Sequence, residues 1–253
     1  METHKELTER LKKIMRTHDA VHIKRNPLAR GLKDISTEGL ENAVSQYTIF
    51  PRNIVSFLYS ARDKAKIEGW KEVATELTRN MGEELGTETN GATHYEMLIR
   101  GIAQGINPSL ENQLRNLQPS PSTDTFIKDM KEIIGDFKAP APYVLGGTYA
   151  LETSAVPELV IVRRAVNELF TRKTGKPMQD GKLKDFFKYH LGTWEPGHEE
   201  GLRDTTAIYV KNQPDQILFE NGFKDVMYSM DWWWTGLYQE SKTIHKIPGE
   251  IRK

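Results

Sequence analysis

The residues best suited to chemistry lie in Phe187-Lys-Tyr-His-Leu-Gly-Thr-Trp-Glu-Pro-Gly-His198, which places His190, Glu195 and His198 within nine residues. Imidazole and carboxylate together suit a redox-capable divalent metal such as iron, and a histidine three residues after an acid is a recurrent helix-borne ligand pair. Two earlier segments offer matching pieces. Asn80-Met-Gly-Glu-Glu-Leu-Gly86 leads to His94, and Tyr149-Ala-Leu-Glu152 adds another carboxylate. Three histidines and three glutamates on separate segments suffice for a two-metal site.

Helix geometry tests that set. An α-helix turns about 100° per residue and rises about 1.5 Å. Glu195 and His198 then lie about 60° apart on neighbouring turns, an easy pair for one ion. His190 fits less simply. The spacing is H-x4-E-x2-H, one residue longer than a run that faces one way, so His190 and Glu195 diverge by about 140° on a straight helix. A π-bulge, or a kink at Gly192 and Pro196, must absorb the extra residue. Glu84 and His94 would be about 15 Å apart on a straight helix. The Gly, Thr and Asn-rich stretch Gly86–Thr93 is expected to fold back and bring them to one cavity.

Ordinary readings compete with these. A single helical glutamate is usually solvated, and Glu83 and Glu88 are read that way. His94 alone would be a packed or surface histidine, and His190 beside Tyr189 could cap a helix end. His4, His18, His22 and His245 have no acidic constellation in the sequence and are read as structural or surface residues.

The elements that must carry these groups all read as helices. Leu7, Leu11, Ile14 and Met15 mark an amphipathic first helix over 4–17. Ser36 or Thr37 caps the next, and apolar spacing runs from Leu40 through Pro51 to Leu58 as two helices or one kinked helix. Helices follow over 70–85 and from Thr93, with a short piece from Asn107-Pro108 to Leu117. Ser122 or Asp124 is expected to cap a helix over 124–136. A helix from Tyr143 to Ala155 precedes another that starts at Pro157 and runs to Arg172. Asp180-Gly181 falls in a connection, and 182–194, 196–212 and 215–240 are helical. No strand alternation and no internal repeat appear. The fold class is all-α. In Trp232-Trp233-Trp234 the side chains point about 100° apart, so all three cannot enter one core. Either two are buried and one is half-exposed, or the run meets a second subunit or an apolar ligand.

Composition bounds the function. The chain has 253 residues, 35 basic and 35 acidic side chains and no cysteine. A formal net charge of zero without a basic block argues against nucleic acid as a partner. The missing cysteine excludes disulfides, thiolate metal sites and a cysteine nucleophile. The polar start, Met1-Glu-Thr-His-Lys-Glu-Leu, lacks a signal-peptide core, and no run approaches the roughly 18 apolar residues of a membrane span. A cytoplasmic location is expected.

Taken in order, Glu84-x9-His94, Glu152, His190 and Glu195-x2-His198 resemble the ligand pattern of the heme-oxygenase-like diiron oxidases. That group shares a superfamily with the CADD-like proteins, pyrroloquinoline quinone synthase and thiaminase II. Asn26-Pro27-Leu28 through Gln46-Tyr47-Thr-Ile-Phe-Pro51 resembles the family's opening helices, and the likeness spans about residues 25–240. The resemblance implies a single domain over 1–253, a bundle of about seven core helices behind an N-terminal extension of about 1–24. It implies two irons per chain: one on Glu84, His94 and Glu152, the other on His190, Glu195 and His198, with Glu152 bridging. It implies dioxygen as co-substrate and a small amino-acid-like or acyl substrate. A homodimer is expected. Tyr47 and Tyr149 are expected at the cavity. In CADD-like members a tyrosine can itself be consumed. Two departures stand out: the extra residue before Glu195, and Glu rather than the family's usual Asp at that position. Thiaminase chemistry is disfavoured by the missing cysteine. A cofactor-free oxidase using His and Tyr, or a binding protein on the same fold, are the competing functions; bound iron separates them.

Overall fold

The computed structural model describes residues 2–89, 91–179 and 181–244. The expectation for His245, and for Asp180 in its connection, lies outside them. No strand occurs among the described residues, and the molecule is an all-α bundle. Its helices are α1 (His4–Met15), α2 (Pro27–Gly31), α3 (Thr37–Tyr47), α4 (Ile49–Ile67), α5 (Lys71–Glu84), α6 (His94–Ile106), α7 (Leu110–Arg115), α8 (Pro121–Ile133), α9 (Ala141–Thr174), α10 (Lys182–Tyr189), α11 (Glu195–Thr206) and α12 (Gln213–Thr243). A 3-10 turn at Leu32–Asp34 follows α2, and a π-helical segment at His190–Trp194 joins α10 to α11.

The long helices α9 and α12 pack along each other and form the spine, with α3, α8 and α11 laid against them. Glycine permits this close approach. A Cβ on Gly146 would stand 1.9 Å from the Phe219 carbonyl oxygen, and one on Gly222 would stand 1.9 Å from that of Tyr143. Real side chains there would force the two backbones apart. Aromatic rings fill the far end of the contact. Trp233 stacks on Phe126 at 4.2 Å, and Tyr47 packs against both Trp233 and Trp234. Of the tryptophan run, Trp233 and Trp234 are buried and Trp232 is 78% exposed.

Some expected boundaries move. The break at Pro157 does not occur: α9 is one helix of 34 residues with Pro157 inside it. One missing backbone bond is outweighed by burial on both sides, with Leu151, Leu159 and Ile161 all in the core. The helix expected over 124–136 begins at Pro121, which stands at the first helical position behind Ser120. Ser36 caps α3, accepting from the Gly39 amide at 2.9 Å. No helix among the described residues is long and apolar enough to cross a membrane.

Candidate metal centre

The first pair of site residues is set by how α5 ends and α6 begins. Gly86 has φ +93°, a left-handed conformation that glycine adopts freely. The Thr87 amide donates to the Gly82 carbonyl at 3.0 Å and the Gly86 amide to that of Glu83 at 2.9 Å. These two bonds make a Schellman motif that stops α5 at Glu84. The Gly91 amide then donates back to the Gly86 carbonyl at 2.9 Å, closing the loop. Thr93 caps α6, its hydroxyl accepting from the Glu96 amide at 3.1 Å. Glu84 is therefore the last residue of one helix and His94 the first of the next. Glu84 Oε1 lies 3.1 Å from His94 Nδ1, so the loop folds back as its composition implied.

The second group depends on the π-helical segment. His190–Trp194 takes up the extra residue of H-x4-E-x2-H, and α-helix resumes at Glu195. His190, Glu195 and His198 are all buried on the inner side. Gly192 sits on this turn with open space around it. Trp194, also on the turn, stacks on His94 at 4.4 Å and donates its indole N–H to Glu88 at 3.0 Å.

All six residues singled out by spacing meet at one place, but they group differently from the family-derived pairing. His94 Nδ1 is 3.1 Å from His190 Nε2 as well as from Glu84, so Glu84, His94 and His190 form one cluster. His198 Nδ1 lies 3.4 Å from Glu152 and 3.7 Å from Glu195, which forms the other. Donor atoms of Glu84, Glu195 and His198 lie within 4.8 Å of one another, so the two clusters adjoin. The change has a simple cause. Once the π turn holds His190 one turn back, its ring reaches the start of α6 rather than α11.

The donor set fits metal. Among the described residues, Glu84, Glu195 and His198 each bring a donor atom close enough to the others to share one ion, and His94, His190 and Glu152 stand beside them. The tautomers are also suited. His190 Nδ1 is 2.7 Å from the Phe186 carbonyl and donates to it, which turns the Nε2 lone pair inward. Burial first, then the facing His94, push the His190 pKa down to about 3, so it is neutral and able to ligate. His198 Nε2 is 2.7 Å from Glu83, leaving Nδ1 toward Glu152 and Glu195. Such outer carboxylates fix a ligand's tautomer and orientation.

Histidine and carboxylate charges balance one another in this cluster. Burial opposes charge on His198, but Glu152, Glu195 and Glu83 outweigh it and raise its pKa. Its Nδ1 faces Glu152 and Glu195. Burial pushes Glu195 up to about 7 against the pull of His198. Burial acts the same way on Glu84, but His94 and the other histidines hold it below the usual carboxylate value.

The cavity beside this cluster is lined by Tyr47, Phe50, Ile54, Leu98, Leu151 and Leu159 together with Glu84, His94, Glu152, His190 and Glu195. Its volume is about 60 Å³, space for a few water-sized groups. Tyr47 lines it as expected. Tyr149 does not: its hydroxyl donates to Glu199 Oε1 at 2.6 Å, and Glu199 in turn pairs with Lys12. Three steps before Glu152, Tyr149 faces α11 on the other side of the ligand.

Three groups near the site were not legible as functional. Glu83, read as solvated, is buried against His198 and Arg79. Glu88 is exposed as expected yet holds Trp194. Glu158, unmentioned by any spacing argument, lines the cavity. Its only signal was an acid inside the apolar run Ala155-Val-Pro-Glu-Leu-Val160. His18, read as lacking an acidic partner, pairs with Asp231 at 2.7 Å, far along the chain. His4 is buried against Thr206.

A family model for a domain of unknown function with a solved structure, DUF3865, matches residues 5–240. Two crystal structures of a CADD-like protein of unknown function from Nostoc punctiforme PCC 73102 are similar to the chain. One has TM-score 0.84 at 32% identity, covering 94% of this chain and 98% of that one. The other has TM-score 0.83 at 31% identity, covering 94% and 95%. No curated protein sequence matches. With this coverage and the shared bundle, the chain belongs to the DUF3865 family of CADD-like proteins.

Proposed function

We propose that the chain is a non-heme diiron oxidase or oxygenase that uses dioxygen to oxidise or fragment a small amino-acid-like or acyl substrate. The observation that carries this reading is the convergence of ring nitrogens of His94, His190 and His198 on three buried carboxylates, with the outward nitrogens of His190 and His198 held by Phe186 and Glu83. Glu84, His94 and His190 would hold one ion, and Glu152, Glu195 and His198 the other. Iron there would supply dioxygen activation. The chain's own part is to position and to exclude. Phe50, Ile54, Leu98 and Leu151 wall the cavity and keep water from the reacting groups. Burial pushes the Tyr47 phenol far above its usual range, so it stays neutral and able to donate a hydrogen bond. At about 60 Å³ the cavity favours a small substrate, and a long acyl chain would need the bundle to open.

Anaerobic titration with ferrous iron, elemental analysis and optical spectroscopy on adding oxygen test this. About two irons per chain and a transient visible absorption are expected, and His198→Ala should abolish the signal. A protein that takes up no iron would sink the reading and leave a cofactor-free oxidase or a binding protein.

A further inference from the structure

Glu158 is 1% exposed, yet neither ligand cluster uses it. It stands six residues beyond Glu152 on α9, about 9 Å along the axis, in the wall of the same cavity. The Trp234 indole N–H donates to its Oε1 at 3.0 Å. Its other oxygen has no protein partner among the described residues. The Tyr47 hydroxyl in the same wall likewise bonds to no described residue, although its ring is fixed by Trp233 and Trp234. Both groups open on a chamber walled by Phe50, Leu151 and Leu159, where the polar atoms of a ligand can meet them.

The ligand's chemistry follows from what surrounds them. No lysine or arginine lines the cavity. An anionic head group would meet a further acid with no balancing charge, whereas N–H donors would satisfy both oxygens. Burial pushes Glu158 up to about 8, opposed by the Trp234 bond, so an arriving ammonium favours its carboxylate form.

We infer that Glu158 and Tyr47 anchor the amino group of a small primary amine, directing its carbon chain toward Glu84, Glu152 and Glu195. The inference rests on the oxidase reading for what happens to that chain, but amine binding is measurable without turnover.

Iron-loaded protein, kept anaerobic, is titrated calorimetrically with n-butylamine, 1-butanol and butyrate. Butylamine is expected to bind at least tenfold more tightly than either of the others. Glu158→Gln keeps the shape and an acceptor for Trp234, and should cost butylamine at least tenfold in affinity while iron content is unchanged. Tyr47→Phe should cost a few-fold. Equal affinity for the three probes on the unaltered protein, or unchanged butylamine affinity in Glu158→Gln, overturns the inference. Iron content on the same samples keeps the two ideas apart. Amine selectivity without iron uptake overturns the oxidase reading alone, and iron uptake without amine selectivity overturns this one alone.

Discussion

Each imidazole of the centre has a nitrogen committed inward, and for His198 the commitment is made by Glu83. The bond from Nε2 to Glu83 at 2.7 Å leaves Nδ1 facing Glu152 and Glu195. Burial works to raise the Glu83 pKa, but His198 and Arg79 hold it low, so the carboxylate is present at neutral pH. Removing an outer partner of a ligating histidine typically weakens metal affinity 10- to 100-fold. Glu83→Ala is therefore expected to weaken ferrous or zinc binding by about that factor in a competition titration, while Glu83→Gln, which still accepts from Nε2, costs less. Unchanged affinity in Glu83→Ala would show that the ring is fixed by packing instead. Spacing made Glu84 legible because it is read with His94. Glu83 could not be read this way, since the histidine that covers it arrives from α11, 115 residues on. A neighbour in sequence points about 100° away, and only the presence of a second helix on that side decides whether it is solvated.

The π turn is the element that reconciles an unusual spacing with a shared site. The sequence showed that one residue had to be absorbed, and the helix absorbs it over His190–Trp194. What spacing alone did not show was the consequence, that His190 joins the α6 side of the centre. If the turn serves only to correct spacing, deleting Gly192, which packs against nothing, gives H-x3-E-x2-H on continuous α-helix. All three ligands then face one way, and metal affinity should stay within about tenfold, less than the loss of a ligand's outer partner at its upper bound. Adding an alanine after Gly192 instead rotates His190 a further 100° or so from Glu195 and should abolish binding at the His190 cluster. Circular dichroism confirms that both variants are folded, and metal stoichiometry reads the outcome. Equal stoichiometry in deletion and insertion variants would mean that the turn has no part in aligning the ligands. The neighbouring helix α9 taught the reverse lesson. Pro157 is a strong local stop signal, but a helix packed along its length against α12 continues through it.

Across the whole bundle, helices from distant parts of the chain bury a set of acids that protons and His198 balance, and this predicts how stability depends on pH. The net charge is zero and the isoelectric point about 7.1, so overall repulsion changes little near neutrality. The buried groups decide the slope. Glu195 and Glu158 have folded pKa values raised to about 7 and about 8, so the folded state holds protons there that the unfolded chain has already released. His198, raised above 6.5, does the same above that pH. In each case the unfolded state binds fewer protons, and stability falls as pH rises. His190 and His4 act oppositely, because burial lowers their pKa values, but their contribution fades as the unfolded histidines lose their protons above about pH 6.5. Between about pH 6.5 and 8 the falling contributions of Glu195, Glu158 and His198 outweigh what is left of it. Metal-free protein, kept in chelator at constant ionic strength, should therefore unfold at a lower temperature at pH 8 than at pH 6.5. Glu158→Gln should shrink the difference. Loading with zinc or ferrous iron should reverse it, because bound metal replaces the protons and its affinity grows as they leave. A metal-free midpoint that is flat or rises over this interval would mean that the acids are not held as the fold places them.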